Sequence, residues 1–167
     1  GIFLGLGIKK EGNKEVIIKA DDITEKKVSA IFVAIDDEDR GVALDLVTEI
    51  KPGNGQVLVN INNVLADITT QYSARVAASV ASKIANVDLS KIDVFYNMIT
   101  NASIVAGGSA GSIMAITTIA ALENKDIRED VVVTGSIDED GNIVSAGGVL
   151  EKAGAAKSRG AKLFLIP

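Results

Sequence analysis

The hydrophobic pattern of this chain changes its period near Ile68, and this change constrains the fold more than any other feature. Before it, segments rich in Val and Ile alternate apolar and polar residues, as at residues 57–61, which is typical of strands with one buried face. After it, apolar residues recur every three or four positions, which predicts an amphipathic helix over Ile68–Ala85. We therefore expect a strand-rich first third, followed by alternating helices and strands.

The remaining segments are predicted in the same way. The early strands are predicted at residues 15–20, 28–35, 42–50 and 56–61. Lys51-Pro52-Gly53-Asn54-Gly55 contains the Pro and Gly that a reversal needs, and it predicts a hairpin between the last two of these strands. The later elements are predicted as strand 93–99, buried helix 110–122, strand 131–134, turn 138–141, partner strand 142–145, helix Val149–Ser158 ended by Gly160, and strand 162–166.

Two residue types that are absent from the sequence exclude several kinds of site. The chain has no His and no Cys, so it can form no Ser-His-Asp triad, no Cys nucleophile, no disulfide and no ordinary zinc site. Its 167 residues are the size of one domain, with no long linker. The net charge of −5, with acidic residues scattered among lysines, argues against a nucleic-acid partner.

The two ends suggest a piece of a longer chain. Residues 1–8 are apolar but too short for the roughly 18–20 residues of a membrane span. They are interpreted either as an edge strand or as the remainder of a removed signal or anchor. A cytoplasmic location and membrane tethering through a removed anchor therefore both stay open.

The sharpest motif is Gly107-Gly108-Ser109-Ala110-Gly111. It satisfies G-x-S-x-G, in which a serine lies on a tight turn before a helix. Such a serine lies beside backbone N–H groups that can stabilise an oxyanion, and Gly107, Gly108 and Ala110 are the candidate backbone contributors. Because the chain has no His, the base must be another residue.

Lys152 is the best candidate for that base. A lysine can act as a general base if burial lowers its pKa from about 10.4 towards 7–8. Lys152 is followed by small residues, Ala153 to Ala156, whereas most other lysines lie in polar runs. Thr134, at a predicted strand end, offers a hydroxyl that can orient the amine. A structural interpretation exists for each residue: an N-cap serine, a snorkelling surface lysine and a packing threonine.

Three segments, in order, resemble the signatures of the Lon protease proteolytic domain. They are residues 107–111, Val133-Thr134-Gly135, and residues 147–156 with the sequence GGVLEKAGAA. The interval between Ser109 and Lys152 is also similar to that of the family. The resemblance is strong over residues 105–167 and weaker over residues 28–93.

This resemblance implies a fold, a site and an assembly. The implied fold is α+β, with antiparallel strands and a hairpin at the N-terminal end, then βαβ-type elements with three main helices packed on the sheets. Ser109 would be the nucleophile of a serine endopeptidase, Lys152 its general base and Thr134 the hydrogen-bond partner of Lys152. The substrates would be unfolded or extended polypeptides, and the assembly a hexameric ring. No cofactor is expected in this domain, and ATP would be needed only if an ATPase module lies elsewhere in the protein.

Two alternative functions remain. Family members usually carry Pro or Asp where this chain has Gly108, and many carry an acidic residue where it has Val105 and Ala106. A Lon-like interaction module whose dyad has decayed is therefore one alternative. The glycine-rich loop at a helix start also fits a phosphate-binding domain related to small-molecule kinases.

Overall fold

The computed structural model describes residues 23–62, 65–101, 104–105 and 107–167. The predicted strand at residues 15–20 and the apolar residues 1–8 lie outside the described residues. Single 3-10 turns are formed by Leu89–Lys91 and Gly108–Ala110. The strands are β1 (Lys26–Ile35), β2 (Gly41–Pro52), β3 (Val57–Asn62), β4 (Leu65–Ala66), β5 (Ile92–Ile99), β6 (Ile104–Val105), β7 (Val131–Val133) and β8 (Leu163–Leu165), and the helices are α1 (Ile68–Ala85), α2 (Gly111–Leu122) and α3 (Val149–Ser158).

The main sheet has the strand order β1-β2-β5-β3. β1 and β2 form an antiparallel hairpin in which Ile35 faces Gly41. Asp36 closes the turn between them: its carboxylate accepts hydrogen bonds from the Glu38 and Arg40 N–H groups and from the Arg40 guanidinium. The expected antiparallel strands and hairpin are therefore present, but the hairpin joins β1 to β2.

The hairpin predicted between β2 and β3 is wrong, because β5 lies between these two strands. The chain does reverse after Pro52, but the turn bonds to the start of β5: Gly53 N–H donates to the carbonyl of Lys91. The Asp93 carboxylate accepts the N–H groups of Asn54 and Gln56. β3 and β5 then pair in parallel and are linked through α1, as in a βαβ unit.

The main sheet lies between two layers, as the alternation along β1 shows. Phe32 and Ala34 belong to the large core cluster, which also contains buried residues of α1 and α2. Val33 points to the other face and packs with Ala155 and Ala156 of α3. Period-2 alternation thus lets one strand bury both faces, and α3 is held firmly against β1 and β2.

Helix α1 has the bounds that the periodicity predicts. Asp67 is its N-cap, accepting the N–H of Thr70, and Asn86 closes it in the left-handed conformation with φ of 54°. The second helix, predicted over residues 110–122, is α2 (Gly111–Leu122), and the 3-10 turn Gly108–Ala110 directly precedes it. Helices α1 and α2 pack against each other beneath the sheet.

The last part of the chain is a second parallel unit, β7-α3-β8. The partner segment predicted at residues 142–145 pairs antiparallel with residues 136–138, through the bridge between Ile137 and Ile143 and the hydrogen bonds from Ser136 N–H to the Ser145 carbonyl and from Val144 N–H to the Ser136 carbonyl, although it is too short to count as a regular strand. The Asp138 carboxylate accepts the N–H groups of Asp140 and Asn142 and holds the predicted turn between the two paired segments. The α+β class with three main helices is confirmed. Among the residues described, no helix has the length and apolarity to cross a membrane.

Candidate active site

The serine loop is shaped by two consecutive glycines. Gly107 has φ of 105°, a conformation that L side chains rarely adopt. A Cβ on Gly108 would lie 3.0 Å from Ser73 Oγ and 3.3 Å from Ser136 Oγ, so the loop packs closely against its surroundings. The next residue, Ser109, is half-buried at the centre of the 3-10 turn.

Two backbone hydrogen bonds join this loop to the chain that follows β7. The Gly135 N–H donates to the Ser109 carbonyl at 3.0 Å, and the Ser112 N–H donates to the Gly135 carbonyl at 3.0 Å. Thr134, next to Gly135, is 1% exposed, and its N–H donates to the Leu165 carbonyl of β8. The serine loop and the threonine are therefore fixed relative to each other by main-chain contacts.

Helix α1 contacts the same loop from the other side. The Asp67 carboxylate accepts the Gly107 N–H at 3.3 Å. The Thr70 hydroxyl shares its proton between Asp67 Oδ1 at 2.8 Å and the Gly107 carbonyl at 3.3 Å. The Ser73 hydroxyl donates to the Gly108 carbonyl at 3.2 Å. Sequence reasoning missed these three side chains. An N-cap signal is visible at Asp67, but nothing local indicates contact with residues about forty positions away.

Lys152 reaches the serine from the second turn of α3. Its Nζ lies 2.7 Å from Ser109 Oγ and 3.5 Å from Thr134 Oγ1. The side chain is only 4% exposed, because α3 packs closely on the main sheet. At Gly41, a Cβ would lie 1.9 Å from the Glu151 carbonyl oxygen, so glycine is required where β2 meets α3. The structure thus brings the three predicted side chains together.

Burial lowers the pKa of the Lys152 ammonium, because a charge removed from water is costly. Among the described residues, no carboxylate forms an ion pair with Lys152 that would offset this effect. In the part of the chain that the structure describes, the side-chain hydrogen-bond partners of Lys152 Nζ are two hydroxyls. A neutral amine at hydrogen-bonding distance from a serine hydroxyl can accept its proton.

The two side chains open onto a cavity of about 500 Å³. One wall is the serine loop, and another is the segment of residues 145–148 that precedes α3. A Cβ on Gly107 or Gly147 would meet nothing within 4 Å, so main chain is exposed on both walls. Ala110, by contrast, is 1% exposed and lies behind the serine. The cavity therefore offers backbone groups to a ligand on both sides of Ser109.

Comparison with known proteins identifies the family to which the chain belongs. The profile of the Lon protease (S16) C-terminal proteolytic domain matches residues 13–167. The chain is 32% identical over 129 residues to an Archaeal Lon protease of Thermoplasma volcanium, covering 76% of this chain and 20% of that protein. An Archaeal Lon protease of Thermococcus kodakarensis is 30% identical over 139 residues, 81% of this chain and 21% of that protein. A Lon protease of Fervidobacterium nodosum is 28% identical over 155 residues, 90% of this chain and 19% of that protein.

The chain thus spans about a fifth of the length of these relatives. The matched part contains the serine loop, the end of β7 and helix α3, the elements that form the site. A profile match over residues 13–167 extends far beyond the motifs themselves. The chain belongs to the Lon protease (S16) C-terminal proteolytic domain family.

Proposed function

We propose that this domain is a serine endopeptidase in which Ser109 is the nucleophile and Lys152 the general base. The observation that carries the proposal is the 2.7 Å distance between Ser109 Oγ and Nζ of Lys152, a residue that is 4% exposed. Family membership supports the choice of a peptide as substrate. The cavity beside the serine, with exposed main chain on two walls, suits an extended polypeptide.

The reaction would proceed through an acyl-enzyme. Ser109 Oγ attacks the peptide carbonyl carbon while Lys152 Nζ takes the hydroxyl proton. The tetrahedral oxyanion then collapses, the C–N bond breaks, and the Lys152 ammonium returns the proton to the leaving amine. In the second half, water attacks the ester carbonyl, Lys152 takes a proton from that water, and Ser109 leaves with the proton. Both halves use the same two side chains.

Thr134 has a supporting place in this proposal. Its hydroxyl lies 3.5 Å from Lys152 Nζ, which is long for a direct hydrogen bond but close enough to orient the amine. Since the two catalytic side chains supply both nucleophile and proton acceptor, we propose that the reaction needs no cofactor in this domain. Cleavage that continues at the same rate in EDTA would agree with this.

A homo-oligomeric, hexameric ring remains part of the proposal, and the mass of the assembly is measurable by light scattering.

The test is substitution of each partner with a matched control. Ser109→Ala and Lys152→Ala should each lower kcat for peptide cleavage by at least about 10³-fold with the fold intact, because nucleophile and base act as one unit. Lys157→Ala removes an exposed lysine from the same helix and should cleave at the parent rate. A fluorophosphonate probe should label Ser109 only when Lys152 is present.

Two results would contradict the proposal. Parent-like cleavage by Lys152→Ala would exclude the amine as the base. A parent protein that neither cleaves peptides nor is labelled at Ser109 would favour the interaction module without catalysis.

A further inference from the structure

The first two turns of α1 hold the residues that precede Ser109. Asp67, Thr70 and Ser73 are spaced by three, so they lie along one face of the helix. All three hydrogen-bond to Gly107 or Gly108, at 3.2–3.3 Å. We call these three side chains the α1 clamp. Nothing in the catalytic sequence proposed above uses them.

The acceptor of the clamp is a carboxylate that is already well anchored. Asp67 caps α1 and accepts the Thr70 N–H and hydroxyl, both at 2.8 Å, through Oδ1. Its Oδ2 accepts the Gly107 N–H. Partial burial opposes ionisation of Asp67, but the hydrogen bonds from Thr70, Thr69 and Gly107 together lower its pKa. The Gly107 N–H is therefore occupied by an anion and turned towards α1.

The donors of the clamp are two buried hydroxyls. Thr70 is 1% exposed and Ser73 is 6% exposed, so water has little access to either. The single proton of the Thr70 hydroxyl is shared between Asp67 Oδ1 at 2.8 Å and the Gly107 carbonyl at 3.3 Å. The Ser73 hydroxyl donates to the Gly108 carbonyl, which also accepts the Gly111 N–H of the 3-10 turn. Both carbonyls consequently point towards α1.

The orientation of these carbonyls fixes the N–H groups that follow them. In a planar trans peptide, the C=O of one residue and the N–H of the next point in opposite directions. The N–H groups of Gly108 and Ser109 therefore point away from α1. The cavity is lined by Gly107, Gly108 and Ser109, whereas α1, which is described throughout, contributes no residue to it. Both N–H groups are thus directed to the side where a substrate carbonyl would lie.

We propose that Asp67, Thr70 and Ser73 are positioning residues that aim the N–H groups of Gly108 and Ser109 at the oxyanion of the tetrahedral intermediate. This inference rests on the proposed function, since it assigns the oxyanion donors of that reaction. It also assigns the Gly107 N–H to Asp67 and not to the substrate. Preorganised donors stabilise the transition state more than the ground state, so the clamp acts on kcat.

The experiment compares Thr70→Val, Ser73→Ala and their double variant with Ser82→Ala. Ser82 is a matched control because it is buried in the same helix, but its hydroxyl donates to the Ser79 carbonyl within α1. The double variant should lose about 10- to 100-fold in kcat with little change in KM, which is at or below the effect of removing one oxyanion donor. Thr70→Ser should retain most of the activity, and Ser82→Ala should match the parent.

A peptide boronate separates positioning from a loss of folding. It bonds to Ser109 Oγ and places an oxygen where the oxyanion would form, so its affinity should fall in proportion to kcat/KM. Asp67→Asn keeps a good N-cap. It should lower the boronate affinity and kcat/KM as well, but by less than the double variant does. Hydrogen exchange at the serine loop should become faster in the double variant, independently of any activity.

The outcomes distinguish the two proposals. An active parent whose double variant has faster exchange but unchanged kcat and boronate affinity overturns the clamp alone. Unchanged exchange in the double variant also overturns it, since the hydroxyls would then not hold the loop. A parent that neither cleaves peptides nor binds the boronate overturns both the clamp and the proposed protease.

Discussion

Lys152 should give the reaction its pH dependence. Only the neutral amine can accept the proton of Ser109, and burial lowers the pKa of Lys152 from its ordinary value of 10.5. Activity should therefore be low at acidic pH, rise with pH through the lowered pKa and then level off below pH 10.5. The measurement is kcat/KM for a peptide substrate from pH 6 to 10, which reports the free enzyme.

Lys152→Arg provides the control for this profile. A guanidinium stays protonated throughout that range, so the variant should be inactive at every pH tested. A parent profile that is flat from pH 6 to 10, or that falls across the range, would show that deprotonation of Lys152 does not limit the rate.

Thr134 tests how much orientation of the amine matters. Thr134→Val keeps the shape of the side chain but removes the hydroxyl that lies 3.5 Å from Lys152 Nζ. Because this contact is long, we expect a loss of no more than about 10-fold in kcat, or roughly 1.4 kcal/mol. Thr134→Ser keeps a hydroxyl and should retain most of the parent kcat. Equal losses in both variants would indicate a packing role instead.

At the scale of single residues, the sequence predicted that Ser109 and Lys152 belong to one site, but not which side chains contact the serine loop. Without His or Cys, few bases remain for Ser109, and the small neighbours of Lys152 distinguish it from the other lysines. The structure brings those two side chains together. The Asp67 contact to Gly107 has no comparable signal, because it spans 40 positions and depends on how α1 packs against α2.

At the scale of secondary-structure elements, the position of α3 depends on the close approach of Gly41 in β2 to the Glu151 carbonyl in α3. In Gly41→Ala the new Cβ would lie 1.9 Å from the Glu151 carbonyl, which is rigid backbone. The helix must move away from β2 and carry Lys152 with it. We expect a loss of about 1–3 kcal/mol in the free energy of unfolding, and a lower kcat. Thermal denaturation and peptide cleavage measure the two effects.

Gly154→Ala is the matched control on the same helix. A Cβ there would meet nothing within 4 Å, and the position is exposed. Alanine should stabilise α3 by up to about 1 kcal/mol through its helix propensity, with cleavage unchanged. If Gly41→Ala were as active and as stable as Gly154→Ala, the approach of β2 would not fix the position of α3.

Local signals predicted the elements better than their pairing. The bounds of α1 and α3 follow from periodicity and capping residues, which act within one or two turns. Strand pairing does not follow from local signals, because β5 is placed between β2 and β3 only after α1 has returned the chain to the sheet. The Pro-Gly turn after β2 therefore indicated a reversal correctly and a hairpin wrongly.

For the whole molecule, the burial of Lys152 makes the stability of the fold depend on pH and links that stability to the proposed function. In the native state the pKa of Lys152 is lowered, whereas in the unfolded chain it has its ordinary value of 10.5. Between these two values the unfolded state binds more protons than the native state, so stability rises with pH across that window. Below the native pKa, both states are protonated and the cost of burying the charge is fully present.

Lys152→Met removes this cost because it fills similar space without a charge. We therefore expect the variant to melt at a higher temperature than the parent at neutral pH, with a difference that shrinks as pH rises towards 10. Lys157→Met, on the exposed face of α3, should show no such trend. A Lys152→Met difference that stays constant from pH 6 to 10 would mean that the amine titrates alike in both states. Such an amine would be protonated at neutral pH, and proton transfer from Ser109 would then have to begin from a rare neutral form.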